Sequence, residues 1–169
     1  PADVEERLDE LERVYTFVNR RDEHEYPNGT LTTRYRFVHV LYQNALYASL
    51  SVSRKVQFSK AIAEALLKVH KGIPGPVAAE LGFLFETARD LDRAVTYFAL
   101  ATEASLALFA YEEASNLARR AIALIGRLDT TLERKGMELG LQLMLGSAAA
   151  VARGDAASEA AGAMERAKT

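Results

Sequence analysis

The residues best placed for chemistry lie between positions 20 and 39. Arg20, Arg21, Arg34 and Arg36 surround the turn-forming Pro27-Asn28-Gly29-Thr30, and a basic hairpin of that kind can contact phosphates. Asp9, Glu10, Glu12, Asp22, Glu23 and Glu25 offset them, so the concentrated basic face of a duplex reader is missing and DNA binding is disfavoured. Asp22-Glu23-His24-Glu25 has the letter order of a helicase box. No G-x-x-x-x-G-K-[ST] phosphate loop precedes it, and it reads as a solvated turn. Gly72 and Gly75 flank prolines and offer a phosphate no row of backbone donors. His24, His39 and His70 show no H-x-x-x-H spacing and the chain has no cysteine, so a zinc site and disulfides have no support. His70, near a helix end, is expected to interact with free carbonyls. Ser49, Ser51 and Ser53 lack a nucleophile elbow and a nearby base. Adjacent acids such as Glu5-Glu6 and Glu112-Glu113 point different ways on a helix and read as solvated faces. No catalytic residue, metal ligand or cofactor is assigned to this segment.

The elements that carry these residues divide in two. Val4, Leu8, Leu11 and Val14 recur at helical spacing and predict a helix over 2–13. Val14, Tyr15, Phe17 and Val18 are strand-preferring. Tyr35, Phe37 and His39 alternate with Arg34, Arg36 and Val38, as in a half-buried strand. A hairpin over 14–39 follows, with the charged stretch from Arg20 to Tyr26 at its exposed tip. Leu41, Ala45 and Ala48 suit a helix over 40–50. Val52, Val56, Ile62, Leu66 and Val69 suit a connecting helix within 51–72. Gly72-Ile73-Pro74-Gly75-Pro76 then stops the helix, because prolines lack the needed donors, and Pro76 suits the first turn of the next one.

From residue 76 to the end everything is helical by pattern. Val77, Leu81, Leu84, Phe85 and Ala88 form one apolar stripe. Leu91, Ala94, Phe98, Ala101, Ser105 and Leu108 form a second, after an Arg89-Asp90 turn. Tyr111, Ala114, Leu117, Ala118, Ala121 and Leu124 form a third. Thr130 and Glu133 suggest a capping box for a helix whose stripe is Leu132, Leu139, Leu143, Gly146 and Ala150. Gly154-Asp155 is expected to turn the chain into an alanine-rich helix at about 156–167. Connections this short make neighbouring helices antiparallel.

Leu81, Gly82, Phe85, Ala94, Phe98 and Ala101 have a spacing that resembles the tetratricopeptide pattern, in which small residues let two helices meet and aromatics fill the groove. Later units are degenerate: Ala114 comes only twenty residues after Ala94, and Leu145-Gly146 suggests a further start. The fold class expected is therefore mainly α: an α-α superhelix of tetratricopeptide-like antiparallel helix pairs over 76–169, behind a helix plus β-hairpin. A plain helical bundle is the alternative.

Residues 36–47 (Arg36-Phe37-Val38-His39-Val40-Leu41-Tyr42-Gln43-Asn44-Ala45-Leu46-Tyr47), with Arg54-Lys55-Val56-Gln57-Phe58 and Ile62-Ala63-Glu64-Ala65-Leu66, resemble a junction in bacterial signalling ATPases of the STAND class. Residues 141–155 resemble the repeat region of the same proteins. The resemblance implies that residues 1–50 are a winged-helix-like remnant preceding helical repeats. It implies an ATPase core elsewhere in the parent protein, where ATP or ADP would bind, and often a fused cyclase or DNA-binding domain. His39 aligns with the histidine of the MHD-type motif, which contacts the nucleotide phosphate; here the motif reads Val38-His39-Val40, without the acidic neighbour. His39 is thus the candidate nucleotide sensor, and a histidine hydrogen-bonded locally at a strand end is the alternative.

The chain's 169 residues, 21 Lys plus Arg, 23 Asp plus Glu and net charge of −2 suit one domain, or a small module followed by an array. That balance gives no global attraction to nucleic acid or anionic lipid. No apolar run is long enough to span a membrane and no signal peptide is visible, so a cytoplasmic location is expected. Pro1 in place of Met suggests a processed start or an excised piece. The expected role is a non-catalytic regulatory and protein-interaction segment of a STAND-like ATPase or transcriptional regulator. Its partners would be a protein or peptide on the repeats, an intramolecular ATPase domain, or a second copy. A free-standing adaptor and a winged-helix DNA binder are the alternatives.

Overall fold

The computed structural model describes residues 2–70 and 74–152. The turn at Gly154-Asp155 and the helix expected at 156–167 lie outside the described residues. Among those described, the chain is mainly helical with one two-stranded antiparallel sheet, and it divides into two compact units, Pro1–Gly72 and Ile73–Thr169.

Unit 1 contains α1 (Ala2–Arg13), β1 (Val18–Glu25), β2 (Leu31–Phe37), α2 (Val40–Ser49) and α3 (Val52–Val69). Val14 to Phe17, expected as strand, instead close α1. The Val14 N–H still donates to the Glu10 carbonyl, Thr16 turns back at φ 51°, and the Phe17 N–H reaches the Leu11 carbonyl. A left-handed Thr is incompatible with extended pairing at that point. The hairpin tip also differs from expectation: Arg20–Glu25 belong to β1, and the turn is Tyr26 to Thr30. The Gly29 N–H donates to the Tyr26 carbonyl, and Gly29 takes φ 83°, which its lack of a Cβ permits. The Asn28 side chain accepts from the Thr30 N–H at 2.9 Å and locks the reversal. Charged β1 residues are tolerated because β1 is largely exposed and a bulge between Arg20 and Glu23 lets Asp22 meet Arg34. The tip is tied to the end of α3 by the Asn28 N–H on the Val69 carbonyl, and the Tyr26 ring meets His70 edge-on.

Little of unit 1 is dry. Among its described residues, the buried ones are Val18, Ser59 and Ala63. α2 carries no charge and buries none of its residues.

Unit 2 has a 3₁₀ turn (Gly75–Val77), then α4 (Ala78–Thr87), α5 (Leu91–Ala107), α6 (Tyr111–Ile125) and α7 (Leu132–Ala152). Each helix packs mainly on its neighbour in sequence. The first two turns share one construction. The Asp90 N–H reaches back to the Phe85 carbonyl and the Ala110 N–H to the Ser105 carbonyl, around left-handed residues Arg89 (φ 62°) and Phe109 (φ 59°). This closure caps one helix and reverses the chain within three residues. Asp90 then caps α5, its carboxylate accepting from the Arg93 N–H.

Two expectations for α7 need correction. Its cap is Thr131, whose hydroxyl accepts from the Arg134 N–H at 3.2 Å, so Thr130 and Glu133 do not form the capping box. Arg134 at the third position cannot return the carboxylate half of that motif; its guanidinium instead donates to the Asp129 carbonyl and to Asp92. The expected stripe is also on the outer face. Leu132, Leu139 and Leu143 are exposed, whereas Leu141 and Ala148 are buried. α7 is apolar on two faces, and Leu141 and Ala148 mark the one the core selects.

Candidate functional site

Three sets of residues were expected to matter, and the structure places each of them. His39 is the N-cap of α2 rather than a strand residue. Its Nδ1 accepts from the Leu41 N–H at 3.1 Å, which leaves the ring proton on Nε2. The ring is exposed and stands 6.5 Å from Tyr42, which packs at 4.8 Å on Phe17, itself stacked on Tyr15. A helix start with no acid in its first turn and one outward N–H donor can hydrogen-bond an incoming anion.

The four arginines do not make one basic face. Arg34 forms a two-pronged pair with Asp22, one hydrogen bond being Nε to Oδ1 at 3.1 Å. This hydrogen bond, the largest cause, lowers the Asp22 pKa and raises that of Arg34. Arg20 lies 3.7 Å from Glu23, and its N–H donates to Glu12 Oε1 at 2.8 Å. Arg21 and Arg36 are exposed, and among the described residues neither forms an ion pair. Acids interrupt the run, as their sequence positions suggested.

The six repeat-type residues come together. Leu81, Gly82, Phe85, Ala94, Phe98 and Ala101 are all buried at the α4–α5 contact. A Cβ added to Gly82 would lie 2.6 Å from the Phe98 ring, so no other residue fits there without movement. Phe85 stacks on Tyr97 at 5.3 Å, with the Arg93 guanidinium 4.1 Å from the Phe85 ring centre. As the chain runs backward from Phe85 to Gly82, its partners run forward from Arg93 to Phe98, so the pair is antiparallel.

One feature escaped sequence reasoning. Arg120 of α6 donates from Nε to Glu86 Oε2 of α4 at 2.6 Å, and its guanidinium lies 4.7 Å from the ring centre of Phe83. Phe83 is 44% exposed and meets Phe98 edge-on, so it offers an apolar surface anchored to the core. Glu86 and Arg120 are 34 residues apart, which is one tetratricopeptide period. A search for opposite charges at that separation would have found them. Phe83, Glu86, Asn116, Arg119 and Arg120 thus form a mixed apolar and charged surface on α4 and α6, with Arg119 donating to Asn116.

Among the described residues no cluster could hold a metal ion, and no helix is long and apolar enough to cross a membrane. No protein-family model, curated protein or solved structure matches the chain.

Proposed function

We propose that this chain is a non-catalytic regulatory and protein-interaction segment, with unit 2 a tetratricopeptide-like array that binds a peptide on the α4–α6 surface. The observation that carries the reading is the α4–α5 hairpin, in which six pattern residues are buried together and Gly82 lies under Phe98. The Glu86–Arg120 contact, at one tetratricopeptide period, supports the stacking of α6 beside α4 as the start of a second, degenerate unit. Peptide binding would combine Phe83 as an apolar anchor with the charges of Glu86 and Arg120 as orienting groups.

The resemblance of residues 36–66 to STAND-class regulators supplies the regulatory part of the reading. There, His39 at the start of α2 would sense a nucleotide phosphate held by an ATPase domain of the parent protein, and partner binding on the repeats would bias that switch. Panning a peptide library against the full chain tests the interaction role. Enriched peptides should lose at least about tenfold in affinity to Phe83→Ala, in the range of an interface anchor. Failure to enrich any peptide, or binding indifferent to Phe83, would remove the assignment. A reading frame with no phosphate-loop ATPase upstream would remove the STAND part alone.

A further inference from the structure

α7 is apolar on two opposite sides. One side holds the buried Leu141 and Ala148. The other runs through Leu132, Gly136, Leu139, Leu143, Gly146 and Ala150, a four-three repeat without a charge. Leu132, Leu139 and Leu143 are 88%, 63% and 67% exposed, and a Cβ added at Gly136, Gly140 or Gly146 would meet nothing within 4 Å. A helix apolar on both sides belongs between two layers.

The order of large and small residues along this stripe is self-complementary. Reversed about a point between Leu139 and Gly140, it sets Leu143 against Gly136, Leu132 against Gly146 and Ser147, and Leu139 against Gly140. Each leucine of one antiparallel helix then meets a hole left by a glycine of the other. The charges agree with this direction. Glu133, Arg134, Lys135 and Glu138 occupy the N-terminal part of α7, and residues 139–152 carry no charge. An antiparallel partner sets each charge against an uncharged turn, whereas a parallel one sets like against like. We propose that two copies of this chain associate through antiparallel α7 helices.

The expected strength follows from area. Leu132, Leu139 and Leu143 leave on the order of 400 Å² exposed, against about 800 Å² per partner in a standard interface. The dimer is therefore weak and concentration-dependent, with a Kd in the micromolar range or above. Light scattering on the full chain should show a mass rising from 18.6 kDa toward twice that value between micromolar and millimolar concentration. A constant monomer mass would overturn the proposal. Leu143→Glu changes an exposed side chain and should raise the dissociation constant at least about tenfold.

Register is tested by cysteine, because the chain has none of its own. Leu139→Cys lies beside the two-fold axis and should cross-link to its copy on mild oxidation. Leu132→Cys should not, since its two copies stand roughly 20 Å apart along the helices. Equal cross-linking of both variants would overturn the antiparallel arrangement.

Discussion

Unit 2 carries a core of large buried side chains, whereas among the described residues of unit 1 the buried ones are Val18, Ser59 and Ala63. In unit 2, Leu81, Phe85, Phe98 and Leu141 are at most 1% exposed, and Thr102, equally buried, returns its hydroxyl to the Phe98 carbonyl. In unit 1, α2 buries nothing and α3 leaves Phe58 and Ile62 about half exposed. Much of what ties unit 1 together is polar: caps at His39 and Ser51, the Tyr35 hydroxyl on Asp9, and the Asn28 link to α3, beside the surface ring contacts of Tyr15, Phe17 and Tyr42. Such contacts contribute about 1 kcal/mol each, whereas a buried aromatic contributes several times that. The difference teaches that helical content alone says little about where stability resides. Sequential packing of small and aromatic residues gives unit 2 its stability, while unit 1 keeps many of its apolar groups, such as Leu41, Leu46, Phe58 and Ile62, on the surface.

The largest expected effect would break this contrast directly. Phe98→Ala should cost about 3–5 kcal/mol in urea unfolding, because it empties a groove between α4 and α5 that Gly82 alone cannot close. Phe58→Ala, at a residue 51% exposed, should cost less than about 1 kcal/mol. Similar losses for the two would mean that unit 1 hides a core that the burial pattern does not reveal.

A smaller effect concerns sign. Gly82→Ala should destabilise by about 1–2 kcal/mol. The added methyl meets the Phe98 ring and the overpacking outweighs the gain in helix propensity. Gly136→Ala, in the open space outside α7, should stabilise by about 0.5–1 kcal/mol when measured at a dilution that keeps the chain monomeric. Two substitutions of one chemical kind would then differ in sign because one glycine is a packing device and the other is not.

Much of unit 2 was legible in the sequence. The spacing from Leu81 to Ala101 fixes which residues meet, since a helix pair with a three-residue turn has few registers. The α7 stripe was misassigned because both of its sides repeat at helical period, and periodicity cannot say which side has a neighbour. Thr131 replaced Thr130 as cap by one residue, the ordinary margin of helix ends. Arg20 to Glu25 looked like a loop because strands are usually recognised by buried alternation. β1 has almost none, and its pairing is specified instead by the Asn28-Gly29 turn and by Arg34 opposite Asp22. The Glu86–Arg120 contact joins residues too far apart to be read from local pattern.

The smallest expected effect tests that pairing in the polar unit. The Arg34 hydrogen bond holds the Asp22 carboxyl below its ordinary value of 3.8. A carboxylate with a depressed folded value contributes stability above its unfolded value, and this is lost as pH falls through the folded value. The affected window is therefore acid, below about pH 4, and at neutral pH the contribution is fully present. Both side chains are about half exposed, so the contribution is screened and salt-dependent. A carbon-detected titration of Asp22 should give a lower midpoint in the native chain than in Arg34→Gln, with the gap shrinking as salt is added. Equal midpoints would mean that the pair does not form in solution. The register of β1 on β2 would then rest on the turn alone, and unit 1 would be looser still relative to unit 2.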